Sequence, residues 1–180
     1  MNTTFLAFGR RILLLLAIAL AGCAGPQVQD HARETPALDL RDYFNGDLVA
    51  HGLFTDRSGA VKRRFVVKLK GTWQGDQGVL EEDFSYSDGE KERRVWRLQR
   101  TAEGRYVGRA DDVVGEAAGE SAGNALRWRY TLRLKVDGST WDVQFDDWMF
   151  LMDGHVMLNR AAMSKFGIHL GDVTLSFYKP

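Results

Sequence analysis

The sequence predicts an all-β domain: an antiparallel up-and-down barrel of about 8–10 strands, set behind a signal peptide and a tether. Three observations predict it. From Leu48 onward, apolar residues recur with period two, and no stretch holds a long 3.6-residue period. Short Gly-containing segments, several of them Asp-Gly, separate the alternating runs. The runs follow one another through short connections, the pattern of a meander, and a long meander closes on itself because closure removes its exposed edges. An open two-sheet sandwich is the alternative architecture.

The first segment reads as an address. Arg10 and Arg11 precede an unbroken apolar run from Ile12 to Ala21. That is about half of the ~20 residues a membrane-spanning helix needs, so residues 1–22 read as a secretory signal. The run ends Leu20-Ala21-Gly22-Cys23, which resembles the lipobox of bacterial lipoproteins. The resemblance implies cleavage before Cys23 and acylation of that residue with a thioether-linked diacylglycerol and an N-acyl chain such as palmitate. Several acyl chains would make membrane attachment lasting where a single chain gives only marginal binding. Ala24, rather than Asp, follows the Cys. By resemblance to Gram-negative lipoprotein sorting this implies the outer membrane, with the protein on the inner leaflet facing the periplasm. The alternative is an ordinary secretory signal beside an incidental Cys.

Residues 23–37 are expected to form the lipidated Cys and a flexible tether, since they hold Pro26, Pro36 and mixed charges without apolar periodicity. The barrel domain is expected over 38–180. Leu38 to Phe44 suits one or two helical turns packed on an open end of the barrel.

The alternation is clearest in Leu126, Trp128, Tyr130, Leu132, Leu134 and Val136, whose alternates include Arg127, Arg129, Arg133 and Lys135. Asp137-Gly138 turns into a partner strand that carries Trp141, Val143 and Phe145 on one face. Phe65, Val67, Leu69, Gly71 and Trp73 alternate in the same way. Runs over 79–87, 92–99 and 106–110, a Gly-rich section over 115–124, and two last runs ending at Tyr178 complete about ten strands. A membrane-spanning barrel would need an uncharged outer face, which Lys91-Glu92-Arg93-Arg94 contradicts.

Several clusters stand together: Glu82-Asp83-Phe84, Arg94-Val95-Trp96, Asp111 to Gly115, Asp146-Asp147-Trp148-Met149, Asn159-Arg160, Lys165-Phe166-Gly167, and Gly123-Asn124-Ala125 before Trp128 and Tyr130. With the lipobox, they resemble the bacterial lipoproteins grouped as domain-of-unknown-function family 3833, from about Tyr43 to Tyr178. The resemblance implies an envelope lipoprotein with a lipocalin-like barrel. It carries over no catalytic residue.

Composition limits the function classes. The 24 basic and 24 acidic residues balance, which gives no support for nucleic-acid binding. Loss of residues 1–22 removes two arginines and no acid, leaving a slight acidic excess. One Cys excludes a disulfide framework and a Cys-based zinc site. His31, His51, His155 and His169 show no ligand spacing, so no metal or cofactor is expected. No Gly-x-Ser-x-Gly elbow or phosphate loop is present, and no catalytic residue is assigned. Asp146-Asp147 is a pair only in sequence, because strand neighbours point to opposite faces.

The candidate site is a polar group inside the barrel. Arg94 alternates with Trp96 and Leu98, Asp147 with Phe145 and Met149, and Glu82 with Phe84. Facing inward, Glu82, Arg94, Asp112, Asp147, Asn159 and Lys165 form a ring that suits the head group of a small amphipathic or lipid-like ligand. Trp73, Trp96, Trp128, Tyr130 and Phe145 are the candidate lining. The alternatives are a structural ion-pair network, or the opposite register, with Trp148 and Phe150 inward and Asp147 outward. Arg127, Arg129, Arg133 and Lys135 suit either a solvated outer wall or contact with lipid phosphates. The function expected is therefore a non-enzymatic, lipid-anchored binding protein. A structural or assembly lipoprotein with a filled barrel is the alternative, and an envelope hydrolase the weaker one.

Overall fold

The computed structural model describes residues 25–136 and 138–180. The signal over 1–22 and the lipidation site Cys23 lie outside the described residues.

Ten antiparallel strands form one closed barrel, each paired with its neighbours in the chain, and the first pairs with the last. They are β1 Gly46–Asp56, β2 Val61–Gln74, β3 Gln77–Tyr86, β4 Lys91–Ala102, β5 Arg105–Arg109, β6 Ala117–Ala122, β7 Ala125–Val136, β8 Ser139–Leu151, β9 Val156–Lys165 and β10 Ile168–Tyr178. Closure runs from Val49 opposite Tyr178 to Asp56 opposite Gly171. Every strand thus has a partner on both sides. The expected lipocalin-like up-and-down barrel is the observed fold, and the sandwich is not.

The outer wall carries cross-strand ion pairs. Arg127 meets Asp146 at 2.6 Å, Arg133 meets Asp142 at 3.2 Å and Arg105 meets Glu120 at 2.8 Å. Two of the four basic residues singled out on β7 are therefore balanced by carboxylates on neighbouring β8. A wall of this kind suits water and not acyl chains.

The barrel has a closed end and an open end. A short helix, α1 Leu40–Tyr43, closes the first. Asp39 starts it by accepting a hydrogen bond from the Arg41 backbone N–H at 2.9 Å, which satisfies one of the orphan donors of the first turn. Leu38, Leu40, Tyr43 and Phe44 are buried beneath it. Phe44 meets Phe177 edge to face at 5.6 Å. The Tyr43 hydroxyl donates to the His155 carbonyl at 3.0 Å, and the Trp73 indole N–H donates to the Phe44 carbonyl at 3.1 Å. Gly71 must be glycine here, because a Cβ would lie 1.8 Å from the Phe44 carbonyl oxygen.

The tether reading is corrected from Val28 onward. A 3-10 turn, Val28–His31, packs against β6 and β7, and Val28 is only 4% exposed. The His31 ring meets Phe150 at 5.1 Å and Trp148 at 6.2 Å, and the Leu38 N–H donates to the Gly123 carbonyl at 2.8 Å. The segment lacks apolar periodicity because one valine, one ring contact and backbone hydrogen bonds are enough to hold it.

Candidate functional site

A cavity of about 850 Å³ occupies the barrel above the α1 floor. Its lower wall is apolar, with Leu69, Leu80, Leu98, Leu126 and Phe177. Its middle is aromatic. Trp96 stands edge-on to Trp128 at 5.8 Å and to Tyr130 at 5.5 Å, while Tyr130 stacks on Phe145 at 5.0 Å. The Trp128 ring lies across Gly108 and Gly119, where any Cβ would come within 2.6 Å of the indole. Gly119 of the Gly-rich stretch thus has a packing role: with Gly108 of β5 it leaves a flat bed for the indole. Val143, Met163 and Val173 continue the wall toward the mouth.

Two polar groups break this lining. The first is built around Arg94 of β4. Strands β5 and β6, which lie between β4 and β7, hold only five and six residues, so the sheet there stops short of the mouth. The loop 110–116 fills that gap. Val113 bridges to Leu132, the Val114 N–H donates to the Thr131 carbonyl at 2.9 Å, and the Arg133 N–H donates to the Asp112 carbonyl at 2.7 Å. This brings the Asp112 carboxylate to Arg94, whose Nε lies 3.1 and 2.9 Å from the two oxygens and whose Nη2 lies 2.8 Å from one of them. Glu82 of β3 stands 3.8 Å away and Glu92 of β4 3.5 Å away. Burial is the largest single influence and works against the Arg94 charge, but the bond to Asp112 together with the charges of Glu82 and Asp112 outweighs it and holds the guanidinium above its usual range. Glu82 has no such close partner. Burial pushes it up to about 7, opposed by Arg94 and by a hydrogen bond from Trp96.

The second group lies on β8 and β9. Asp147 is 6% exposed and Asn159 2% exposed. The Tyr130 hydroxyl donates to Asp147 Oδ2 at a long 3.5 Å, and Asn159 Nδ2 donates to the Trp148 carbonyl at 3.5 Å. The other oxygens, Asp147 Oδ1 and Asn159 Oδ1, have no hydrogen-bond partner among the described residues. Burial, and then the charge of Asp146, push Asp147 up to about 8. Asp147 and Asp146 point to opposite sides of β8, and Asp146 is held outside by Arg127.

Most of the residues predicted for the ring are brought together. Glu82, Arg94, Trp96, Asp112, Trp128, Tyr130, Asp147 and Asn159 all line the cavity. The register alternative is excluded, since Trp148 and Phe150 stack on each other outside, under His31. Two residues are corrected. Lys165 has the predicted face but lies at the end of β9, where its ammonium stands over the Trp141 ring at 3.8 Å, beyond the cavity's polar group. Trp73 belongs to the floor, hydrogen-bonded to Phe44 rather than lining the cavity. The sequence reading missed an aromatic group at the mouth, where Arg63 lies 3.5 Å over Tyr86 beside Phe65 and Phe84. The period-two alternation of Arg63 with Phe65 and Val67 was the available signal. Among the described residues, no group of three or more His, Cys, Asp or Glu side chains is placed to hold a metal ion.

Comparisons with known proteins follow this geometry. Residues 17–179 match the model of the family described as "Protein of unknown function (DUF3833)", a span that includes Cys23, and the chain belongs to that family. No curated protein sequence matches it. Among solved structures, the chain is similar to the S-type phycobiliprotein lyase CPES from Guillardia theta. The TM-score is 0.60 at 7% identity, over 86% of this chain and 98% of that one. It also matches a protein of unknown function from the DUF3598 family of Nostoc punctiforme, with a TM-score of 0.49 at 13% identity, over 87% of this chain and 53% of that one. The first likeness carries the barrel fold.

Proposed function

We propose that this DUF3833 protein is a lipid-anchored protein of the bacterial envelope whose barrel holds a small amphipathic molecule and performs no chemistry on it. The observation that carries the reading is the cavity: about 850 Å³, apolar and aromatic in most of its lining, with a few polar side chains buried at mid-depth. Ligand sites have this size and this mixture, in which apolar walls supply affinity and a few polar groups supply orientation. A barrel serving only as a scaffold would gain stability by filling that space, since interiors otherwise pack to the density of organic crystals. The four His lie apart from the carboxyl groups of the cavity, so no imidazole stands beside them. His31 stands against Trp148 and Phe150 outside, and His155 stacks on Tyr178 with its Nδ1 2.8 Å from the Lys179 carbonyl oxygen.

The anchor rests on the Leu20-Ala21-Gly22-Cys23 motif behind its apolar run. The docked segment after it lies against the floor end of β6 to β8. Only four residues separate Cys23 from Val28, a reach of about 17 Å at most. A lipid on Cys23 therefore sets the floor toward the bilayer and the mouth away from it, facing the periplasm if the protein sits in the outer membrane. Such a mouth is placed to exchange its cargo with something beyond the anchoring membrane.

Both halves can be tested separately. Wild-type protein should bind N-phenyl-1-naphthylamine, an apolar fluorescent probe, saturably, and Ala161→Trp should abolish the signal by filling the cavity wall. Equal binding by a folded Ala161→Trp protein would contradict the cavity reading. Cys23→Ser should remove acyl labelling and release the protein from membranes, and unchanged partitioning would contradict the anchor.

A further inference from the structure

The two unpartnered oxygens inside the cavity say something about the head group that enters it. Asn159 Oδ1 is an acceptor, and so is Asp147 Oδ1 once Asp147 ionises; both side chains are buried, and neither atom has a protein partner among the described residues. They lie near each other. Asp147 pairs with Ala161 and Met149 with Asn159, so the two stand on adjacent strands one inward step apart. The obvious cation of the interior is already committed, because Arg94 is clasped by Asp112 through both carboxylate oxygens. At mid-depth with Asp147 stand Glu82 of β3, Arg94 and Glu92 of β4, Asp112 of the loop, Tyr130 of β7 and Asn159 of β9, with Asp146 on the far side of β8, while Arg63, Glu90, Arg133 and Lys135 line the mouth. At this depth four carboxyl groups thus share one guanidinium. At that depth an anionic head group would meet carboxyl groups and a guanidinium already held by Asp112, the other cations of the lining, Arg63, Arg133 and Lys135, standing at the mouth. A buried acceptor left without a donor costs free energy comparable to a lost hydrogen bond, so these positions are satisfied best by a ligand that brings donors and positive charge.

We infer that the cavity selects an amphipathic amine, with its ammonium head against Asp147 and Asn159 and its apolar chain along the aromatic wall toward the mouth. The inference rests on the reading of the barrel as a binding cavity and names the ligand class for it. It reverses the simplest expectation for an arginine inside an apolar barrel, which is capture of a carboxylate. Here Asp112 of the chain itself supplies that carboxylate. Asp147 is held largely protonated near neutral pH by burial, so an arriving ammonium displaces a proton and binding releases protons to the buffer.

The test uses the full chain in lipid nanodiscs, with empty nanodiscs as the blank, titrated calorimetrically with octylammonium, octanoate and 1-octanol. Octylammonium is expected to bind about tenfold or more tightly than either of the others. Its apparent heat should vary between buffers of different ionisation enthalpy, reporting proton release at pH 7. Asp147→Asn and the volume-matched Asn159→Leu should each remove most of the preference for the amine while leaving octanol binding in place. Each variant should keep a thermal midpoint close to wild type, which separates loss of recognition from loss of fold. Octanoate binding as tightly as octylammonium, or an amine preference that survives in Asp147→Asn, would overturn the head-group assignment alone. Failure of all three probes to bind would overturn the cavity reading as well.

Discussion

The floor and the interior of the barrel treat their polar groups in opposite ways. At the floor the chain answers most of its own demands, Asn124 Oδ1 and Arg100 Nε being exceptions. The Phe44 carbonyl receives the Trp73 N–H, the Tyr43 hydroxyl reaches the His155 carbonyl, and Arg41 is shared by Asp39 at 2.7 Å and Asp76 at 3.2 Å. A few residues further in, Asp147 and Asn159 are as deeply buried, yet each keeps an oxygen without a partner. The mouth goes further still and leaves apolar surface in water, with Phe166 89% exposed. Buried polar atoms are usually hydrogen-bonded, and what sets these two apart from other unpartnered atoms, such as Asn124 Oδ1 and Arg100 Nε, is that their side chains line the cavity.

Substitutions at the three levels should differ accordingly, and the largest effect belongs to the floor. Gly71→Ala places a methyl group against the Phe44 backbone and forces the α1 closure away from Trp73, at a cost of about 3 kcal/mol. Chemical denaturation should show the loss, and a change smaller than about 1 kcal/mol would mean that the floor is looser than its hydrogen bonds suggest.

Asp147→Asn should have a smaller effect that depends on pH. The folded-state pKa of Asp147 is raised from 3.8 to about 8, and that of Glu82 from 4.5 to about 7. A carboxyl whose folded pKa is raised binds its proton more tightly folded than unfolded. Its penalty is therefore absent below pH 4 and grows as pH rises toward the folded pKa. Wild-type protein should lose stability on the order of a few kcal/mol between pH 5 and pH 9. Asp147→Asn should lose clearly less and be the more stable of the two at pH 9. Parallel pH profiles would show that Asp147 is paired after all. Smallest of the three, Phe166→Asn at the mouth should change stability by no more than about 0.5 kcal/mol, since an exposed tip holds nothing up. A loss of more than about 1 kcal/mol would show that the mouth is packed in a way its exposure conceals.

The contrast between levels also explains what was legible in the sequence. The strands were readable because one face of each is apolar, as in the run from Leu126 to Leu134. The inward group was readable as a set because Arg94 and Asp147 interrupt apolar faces. The register of β8 was not, because that strand carries aromatics on both sides: Phe145 inward, Trp148 and Phe150 outward. The outward pair is explained by residues 28–38, which pack over it and which carry no periodic pattern to announce that they do. The pairing of Arg94 with Asp112 depends on a loop filling the gap left by two short strands, a tertiary fact with no local signature. The partnerless oxygens belong to the same category, since the absence of a neighbour can be read only from the folded chain.

The proposed function makes the barrel a container with contents. Native mass spectrometry of the protein purified from its own host tests it most directly, with the covalent anchor separated from any non-covalent cargo by collisional release. The account predicts a small amphipathic molecule that leaves the folded chain on activation and is absent from the Ala161→Trp protein. Only the bare lipidated chain, with nothing released and no uptake of added amphiphile, would contradict it.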